Sequence, residues 1–298
     1  MNAKMKNSSH TFPRILVILH VFYSDQIPWF LEKLSHIHLC DWDLVVTYPK
    51  GKEIDKTAFR ELNGSVRFIP VENVGYDVWP FIYALQQVQP AHYDWVLKLH
   101  TKGPTEKGDY FRFNGRTFRE YDWRDELVNA FLLDDARWER ILKQFSRKDI
   151  GMVCAWRLMI FSDLWPEDGP LLEQELQRLG LHTNKRRFCA GTILALRVPL
   201  IEPVLKRNLH EEDFPAKNES HSGGTLAHVY ERVFSLLAPA QGFRVYLSGN
   251  RIAYHKRRLK EAFEHLSKWI FDINRDSKYE ERKYLRIMGF RFYVGRKN

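Results

Sequence analysis

The 298-residue chain carries only three cysteines, Cys40, Cys154 and Cys189, dispersed and without a Cys-x-x-Cys pair. An odd, scattered set of that kind argues against a disulfide framework and a zinc site, and fits a reducing compartment. Long apolar runs are missing too: no stretch approaches the roughly 20 residues of a membrane-spanning helix. The N-terminal segment Ile15–Tyr23 follows Lys4, Lys6 and Arg14 as a signal peptide's core would. It is interrupted by His20, however, and runs into Ser24-Asp25-Gln26, not a small-residue cleavage site, so it reads as a first core strand. Repeats, low-complexity tracts and recognised nucleic-acid motifs are also absent. What remains is a globular chain, 44% hydrophobic and 14% aromatic, long enough for one large α/β domain with an appendage.

The net charge of +9 is unevenly placed. Residues 251–298 hold 14 Lys/Arg against 6 Asp/Glu, and the rest of the chain holds 32 against 31. A neutral body with a basic tail points to attachment at an anionic surface. In the tail, Leu259, Phe263, Leu266, Ile270 and Ile273 recur at helical spacing beside Arg257, Arg258, Lys260 and Lys268. That pattern predicts a basic amphipathic helix lying on a membrane, or one packed on the body. Tyr284–Lys297 repeats the aromatic and basic chemistry. The expected division is a flexible N-terminus (1–12), a main domain (13–250) and the basic helical tail (251–298).

Within the main domain, apolar runs at Arg14–Phe22, Asp43–Thr47, Val66–Pro70, Trp95–His100 and Ile150–Ala155 read as strands. They alternate with helical patterns at Ile27–His36, Lys56–Leu62 and Asp77–Gln87, with Asp77 as N-cap. Such alternation predicts a mostly parallel sheet covered by helices on both faces. Further helices are expected at Trp123–Leu133, Asp135–Phe145, Leu171–Leu179 and Thr225–Leu237, and strands at Phe188–Arg197 and Arg244–Leu247. Gly103–Tyr121 and Leu209–Gly224 read as long polar loops.

Two nearly adjoining segments carry most of the chemistry: Val71–Phe81 (VENVGYDVWPF) and Tyr93–Gly103 (YDWVLKLHTKG). The first places the turn Asn73-Val74-Gly75-Tyr76-Asp77 after one strand. The second ends another strand in Lys98, His100, Thr101 and Lys102. Because ligands of open α/β sheets sit outside the carboxyl ends of the strands, the two segments predict two walls of one polar, phosphate-tolerant site.

These residues resemble a known family. The pattern EN-x-G-x-D-x-x-P-F, then YD-x-V-L-K-L-H-T-K, then Trp123-Arg124, is similar to the rhamnan synthesis protein F family of bacterial polysaccharide glycosyltransferases. Asp149-Ile150-Gly151, Phe188-Cys189-Ala190-Gly191-Thr192 and His228-Val229-Tyr230-Glu231-Arg232 extend the match over roughly Arg14 to Leu247. The resemblance implies a GT-A-like fold and transfer of a sugar, rhamnose or similar, from a nucleotide donor. The acceptor would be a growing O-antigen, capsule or cell-wall glycan, free or lipid-linked.

In GT-A enzymes an Asp-x-Asp at the end of the fourth strand commonly holds a divalent cation. Here that place reads Lys98-Leu99-His100-Thr101-Lys102, a poor cation site and a good diphosphate site. No cofactor is therefore expected to be required. Mg²⁺ or Mn²⁺ stays open as an alternative, with Asp94 as one ligand. Asn73, Gly75 and Asp77, with Lys98, Thr101 and Lys102, are expected to bind the nucleotide and its diphosphate. Glu231 is the expected base of an inverting transfer, with His228 and His100 as catalytic companions and Asp213 and Asp109 as substitutes. Glu231 paired with Arg232 as a helix brace is the structural alternative. Trp123, Arg124, Gly191, Thr192 and Arg232 are expected at the acceptor or donor sugar. The implied setting is the cytoplasmic face of the membrane. Two rivals are a nucleic-acid-binding protein using the basic tail and a non-catalytic carbohydrate-binding relative.

Overall fold

A computed structural model describes residues 13–249 except 63, 106–109, 114–115, 162–167, 186 and 215–223; beyond these it describes Leu259, Phe263 and three short strands. The chain divides into a body, Met1–Gly249, and a C-terminal unit, Asn250–Asn298.

The body opens β1 (Ile15–His20), α1 (Ile27–Leu34), β2 (Trp42–Pro49), β3 (Ser65–Val71), α2 (Val78–Gln87) and β4 (Trp95–His100). A hairpin, β5 (Phe111–Phe113) with β6 (Arg116–Phe118), leads into α3 (Asp122–Leu132) and α4 (Asp135–Phe145). The remainder is β7 (Ile150–Ala155), β8 (Met159–Phe161), α5 (Gly169–Arg178), β9 (Arg187–Cys189), β10 (Leu194–Arg197), α6 (Glu202–Lys206), α7 (Leu226–Ala240) and β11 (Arg244–Ser248).

Seven strands form one sheet in the order β11-β7-β10-β4-β1-β2-β3. All neighbours are parallel except β10, which runs antiparallel between β4 and β7. Strands β1, β4 and β7 are buried along their whole length, as expected of strands covered on both faces. Helices α1, α3 and α4 pack together, as do α2, α5, α6 and α7, and both groups touch the sheet. The mostly parallel, helix-covered architecture expected from the alternation is therefore observed. Chain order reverses at β1/β4, where a crevice opens at the carboxyl edge.

Several local expectations are corrected. Lys56–Leu62 is no α-helix but a single 3₁₀ turn at Thr57–Phe59. The polar stretch Gly103–Tyr121 contains the β5–β6 hairpin. Phe188–Arg197 is not one strand: Gly191 (φ +90°) and Thr192 (φ +47°) turn the chain left-handed and separate β9 from β10. In the C-terminal unit, Leu259 and Phe263 are helical and exposed. The expected stripe does not continue to Ile273, which lies in β12 (Phe271–Arg275). That strand pairs antiparallel with β13 (Lys283–Ile287), which pairs with β14 (Phe290–Val294). Alternation of apolar and polar residues in Phe271-Asp272-Ile273-Asn274 competes with the helical spacing, and the strand period prevails. Leu266 and Ile270 lie outside the described residues.

Candidate active site

Register places Thr47, His20 and His100 side by side across β2, β1 and β4, at the carboxyl edge of an otherwise apolar sheet. The His20 ring nitrogen Nδ1 lies 3.0 Å from Thr47 Oγ1. Burial pushes the His20 imidazole down to about 3, with His100 and Lys98 acting the same way and Asp77 opposing them. His20 was missed as a site residue in the sequence. Its signal was a histidine ending an apolar strand, level with the histidine that ends β4.

The turn before α2 explains how Asp77 is freed for this edge. Gly75 (φ +61°) and Tyr76 (φ +54°) are left-handed. A Cβ on Gly75 would come within 2.8 Å of the Phe214 ring. The Gly75 carbonyl accepts the N–H of Val78 at 3.0 Å, so the backbone starts the helix. Asp77 stands at the N-cap position but makes no capping bond with its side chain, against the expectation that it would.

Asp77 instead receives the Lys98 ammonium and the Thr192 hydroxyl, the latter at 2.6 Å. Lys98 also donates to Thr192 Oγ1 at 2.9 Å. Burial works against an ionised Asp77. The charges of His100 and Lys98, with the bonds from Lys98 and Thr192, outweigh it and hold the carboxyl well below its usual range. Lys98, expected at a diphosphate, is 1% exposed and is not among the residues lining the cavity described below; its charge faces Asp77. His100 Nε2 donates to the Gly191 carbonyl at 2.7 Å. The imidazole therefore locks the Gly191-Thr192 turn, and burial lowers its pKa even though Asp77 opposes.

Beyond this knot lies a cavity of about 210 Å³. Its polar wall is Asn73, Asp77, His100, Thr101 and Lys102, and its aromatic wall Phe22, Tyr23, Tyr76 and Phe214. Thr101 Oγ1 accepts the N–H groups of Phe22 (2.8 Å) and Tyr23 (3.0 Å), tying the loop after β1 to the end of β4. Gln26 donates to the Lys102 carbonyl at 2.9 Å, fixing that backbone. The Lys102 ammonium lies 5.2 Å from the Trp123 ring centroid and makes no ion pair among the described residues.

Helix α7 supplies Glu231, with about a quarter of its side chain exposed. Burial pushes its carboxyl up to about 7; Asp77 adds to the shift, while Arg232, Lys102 and Lys98 oppose it. Glu231 is not itself among the residues lining the cavity, but the charges of Asp77 and Lys102 in its wall reach it. His228 Nδ1 lies 2.7 Å from Thr225 Oγ1, and its ring sits 5.6 Å from that of Tyr76.

Other expected site residues are placed elsewhere. Arg232 is buried, paired with Asp168 and 4.6 Å over the Phe188 ring, a brace that does not line the cavity. It stands 3.9 Å from Glu231, too far for a hydrogen bond. Arg124 packs 3.9 Å over Trp29 and 4.3 Å over Tyr121, also away from the cavity. Trp123 reaches the site's margin: a Cβ on Gly191 would lie 2.7 Å from its Nε1. Asp94 lies at the opposite edge of the sheet, accepting the Arg14 N–H at 2.8 Å. Asp213 accepts the His210 N–H at 2.9 Å. Asp109 falls outside the described residues.

A model of the family described as rhamnan synthesis protein F matches residues 1–243. The chain belongs to that family. Family members are glycosyltransferases. The chain is 28% identical over 240 residues to the uncharacterized protein WxcX of Xanthomonas campestris pv. campestris, in strains ATCC 33913 and B100, covering 78% of this chain and 32% of WxcX. It thus spans about a third of the length of the curated relatives it matches. Similar solved structures include a mannosyltransferase from Pyrobaculum calidifontis in complex with GDP-Man and Mn²⁺ (15% identity, 86% of this chain and 64% of that one, TM-score 0.40). Another is glucosyl-3-phosphoglycerate synthase from Mycobacterium tuberculosis in complex with Mn²⁺, UDP and glucosyl-3-phosphoglycerate (13%, 88% and 84%, TM-score 0.34).

The donor set of the cavity fits a divalent cation poorly. Among the described residues no three His, Cys, Asp or Glu side chains are grouped to hold one. The cavity's carboxylate, Asp77, already faces the Lys98 ammonium, and His100 Nε2 is turned to a carbonyl. Asp94, the one substitute ligand expected, is at the far edge.

Proposed function

We propose that the chain transfers a sugar, rhamnose or similar, from a nucleotide donor to a growing cell-surface polysaccharide through a GT-A-like site at the β1/β4 crevice, with inversion. The observation that carries this reading is the cavity at the carboxyl edge, walled by Asn73, Asp77, His100, Thr101 and Lys102, whose Lys102 ammonium makes no ion pair among the described residues and whose charges reach Glu231 on α7. In the proposed step the acceptor oxygen attacks the anomeric carbon. The carbon–oxygen bond to the diphosphate breaks with its electron pair staying on the phosphate, and the acceptor proton passes to the Glu231 carboxylate. Lys102 stabilises the charge that develops on the leaving diphosphate, and Asn73 and Asp77 hold the nucleotide. Lys98, His100 and Thr192 act behind them by fixing Asp77 and the Gly191 turn. The poor cation fit supports transfer that continues in chelator.

The C-terminal unit is proposed to hold the protein against an anionic membrane, where lipid-linked acceptors lie. Support comes from its cationic surplus and from Leu259 and Phe263, 72% and 71% exposed. Each basic residue near such a surface contributes about 1 kcal/mol. Cosedimentation with anionic but not neutral vesicles, lost at high salt, would bear this out.

A panel of sugar nucleotides tests the main reading. Slow hydrolysis of one donor class, unchanged in EDTA, is expected. Turnover of no donor, with thermal stabilisation by nucleic acid alone, would sink it.

A further inference from the structure

The body exposes four large aromatic side chains among its described residues, and their distribution is uneven. Tyr23 (38% exposed) and Tyr76 (40%) line the cavity. Tyr110 (61%) and Phe111 (49%) lie on and just before β5. The hairpin is tied to the cavity margin by Trp123, which Phe111 meets edge-on with ring centroids 5.5 Å apart. Phe113 meets the same indole at 5.3 Å. Trp123 in turn touches the Gly191 turn and lies under the Lys102 ammonium.

Two three-residue strands do not need exposed aromatics to fold. Phe118, fully buried, and Phe113 already anchor the hairpin. Single exposed apolar residues are ordinary, but Phe111 is held against the Trp123 indole, over which lies the Lys102 ammonium of the cavity's polar wall. Aromatic rings offer large, rigid, flat apolar faces, and a pyranose ring offers a matching face of C–H groups beneath its hydroxyls. The platform sits on the Lys102 side of the cavity, and Lys102 is one of the groups whose charge reaches Glu231.

We infer that Phe111, backed by Trp123, and the adjoining Tyr110 form the acceptor subsite and take a hexopyranose or deoxyhexopyranose ring of the glycan being extended. This rests on the transferase reading above, and the test separates the two. Phe111→Ala, Tyr110→Ala and Phe111→Trp are compared with the full-length parent in three measurements. These are acceptor-independent donor hydrolysis, the KM for acceptor in transfer, and saturation-transfer NMR with a panel of octyl glycosides of common hexoses and deoxyhexoses. The alanine variants should raise acceptor KM about tenfold, weaken the NMR contact and leave donor hydrolysis unchanged. Phe111→Trp should restore the contact. An unchanged acceptor KM, equal losses of hydrolysis and transfer, or no octyl glycoside contacting the parent would overturn the inference. Glycoside contact that depends on Phe111 in a protein hydrolysing no donor would uphold the platform and count against the transferase reading.

Discussion

At the amino edge of the sheet, Arg14 pairs with Asp43 at 2.9 Å, and Tyr93 donates to the same carboxylate at 2.7 Å. Arg197 there donates to the Ile150 carbonyl at 2.7 Å. Burial and the bond to Asp43 push the Tyr93 phenol up to about 12. Every one of these groups pins a strand end or a loop. At the carboxyl edge, Lys98, Asp77 and Thr192 form a comparable knot, largely buried; in front of it Lys102 makes no ion pair among the described residues, and Glu231 stands 3.9 Å from Arg232. The amino-edge hollow is the larger, about 1060 Å³ against about 210 Å³. The difference teaches that volume does not locate chemistry. Uncommitted charge beside a rigid, desolvated support does.

Breaking the buried knot should have the largest effect. Lys98→Ala leaves the largely buried Asp77 without its cation, and should cost about 3 kcal/mol by denaturant unfolding. Asp77→Asn with Lys98→Met should recover much of that loss, which a purely packing role for the lysine stem would not allow.

Glu231→Gln sharpens the contrast because activity and stability should move oppositely. Transfer should fall about 10²–10⁴-fold. The folded-state pKa of Glu231 is raised to about 7 from 4.5, so the folded protein binds more protons than the unfolded chain between those values. The cost of ionising Glu231 therefore grows as pH rises through that window. The glutamine variant should be more stable than the parent by about 1–3 kcal/mol at pH 8 and no more stable at pH 4.

His20 gives an effect of opposite sign, developed only at acid pH. Its pKa falls to about 3 from 6.5, so below pH 6.5 the unfolded chain takes a proton that the folded protein refuses. Stability should drop as pH falls toward 3, and His20→Gln should flatten that part of the pH–stability curve. At the exposed amino edge, Arg14→Ala should cost less than about 1 kcal/mol and leave donor hydrolysis intact.

Much of the fold was legible because continuous apolar runs such as Ile15–Leu19 and Trp95–Leu97 mark strands buried on both faces. The Asn73–Asp77 turn and the Lys98–Lys102 strand end were legible as neighbours for the same reason: both close apolar runs with polar residues. Their pairing was not. Lys98 finds Asp77 and Thr192 only through the packing of α2 and the β9–β10 turn on β4, and no local spacing records such a contact. Sequence reasoning therefore expects Lys98 at a diphosphate, and Asp77 at the nucleotide and as a helix cap, without the bond between them. The same limit hid His20, which reads as a flaw in an apolar strand until parallel register sets it beside His100. In the C-terminal unit, helical and strand periods overlap at Ile273, and a short strand prevailed.

The central claim, that the carboxyl-edge cavity binds the nucleotide, is tested most directly by thermal shift with nucleoside diphosphates on the parent, Lys102→Ala and Arg14→Ala proteins. A nucleoside diphosphate should raise the Tm of the parent and of Arg14→Ala, and the rise should vanish in Lys102→Ala. A rise that survives in Lys102→Ala but disappears in Arg14→Ala would place the nucleotide at the opposite edge and contradict the account.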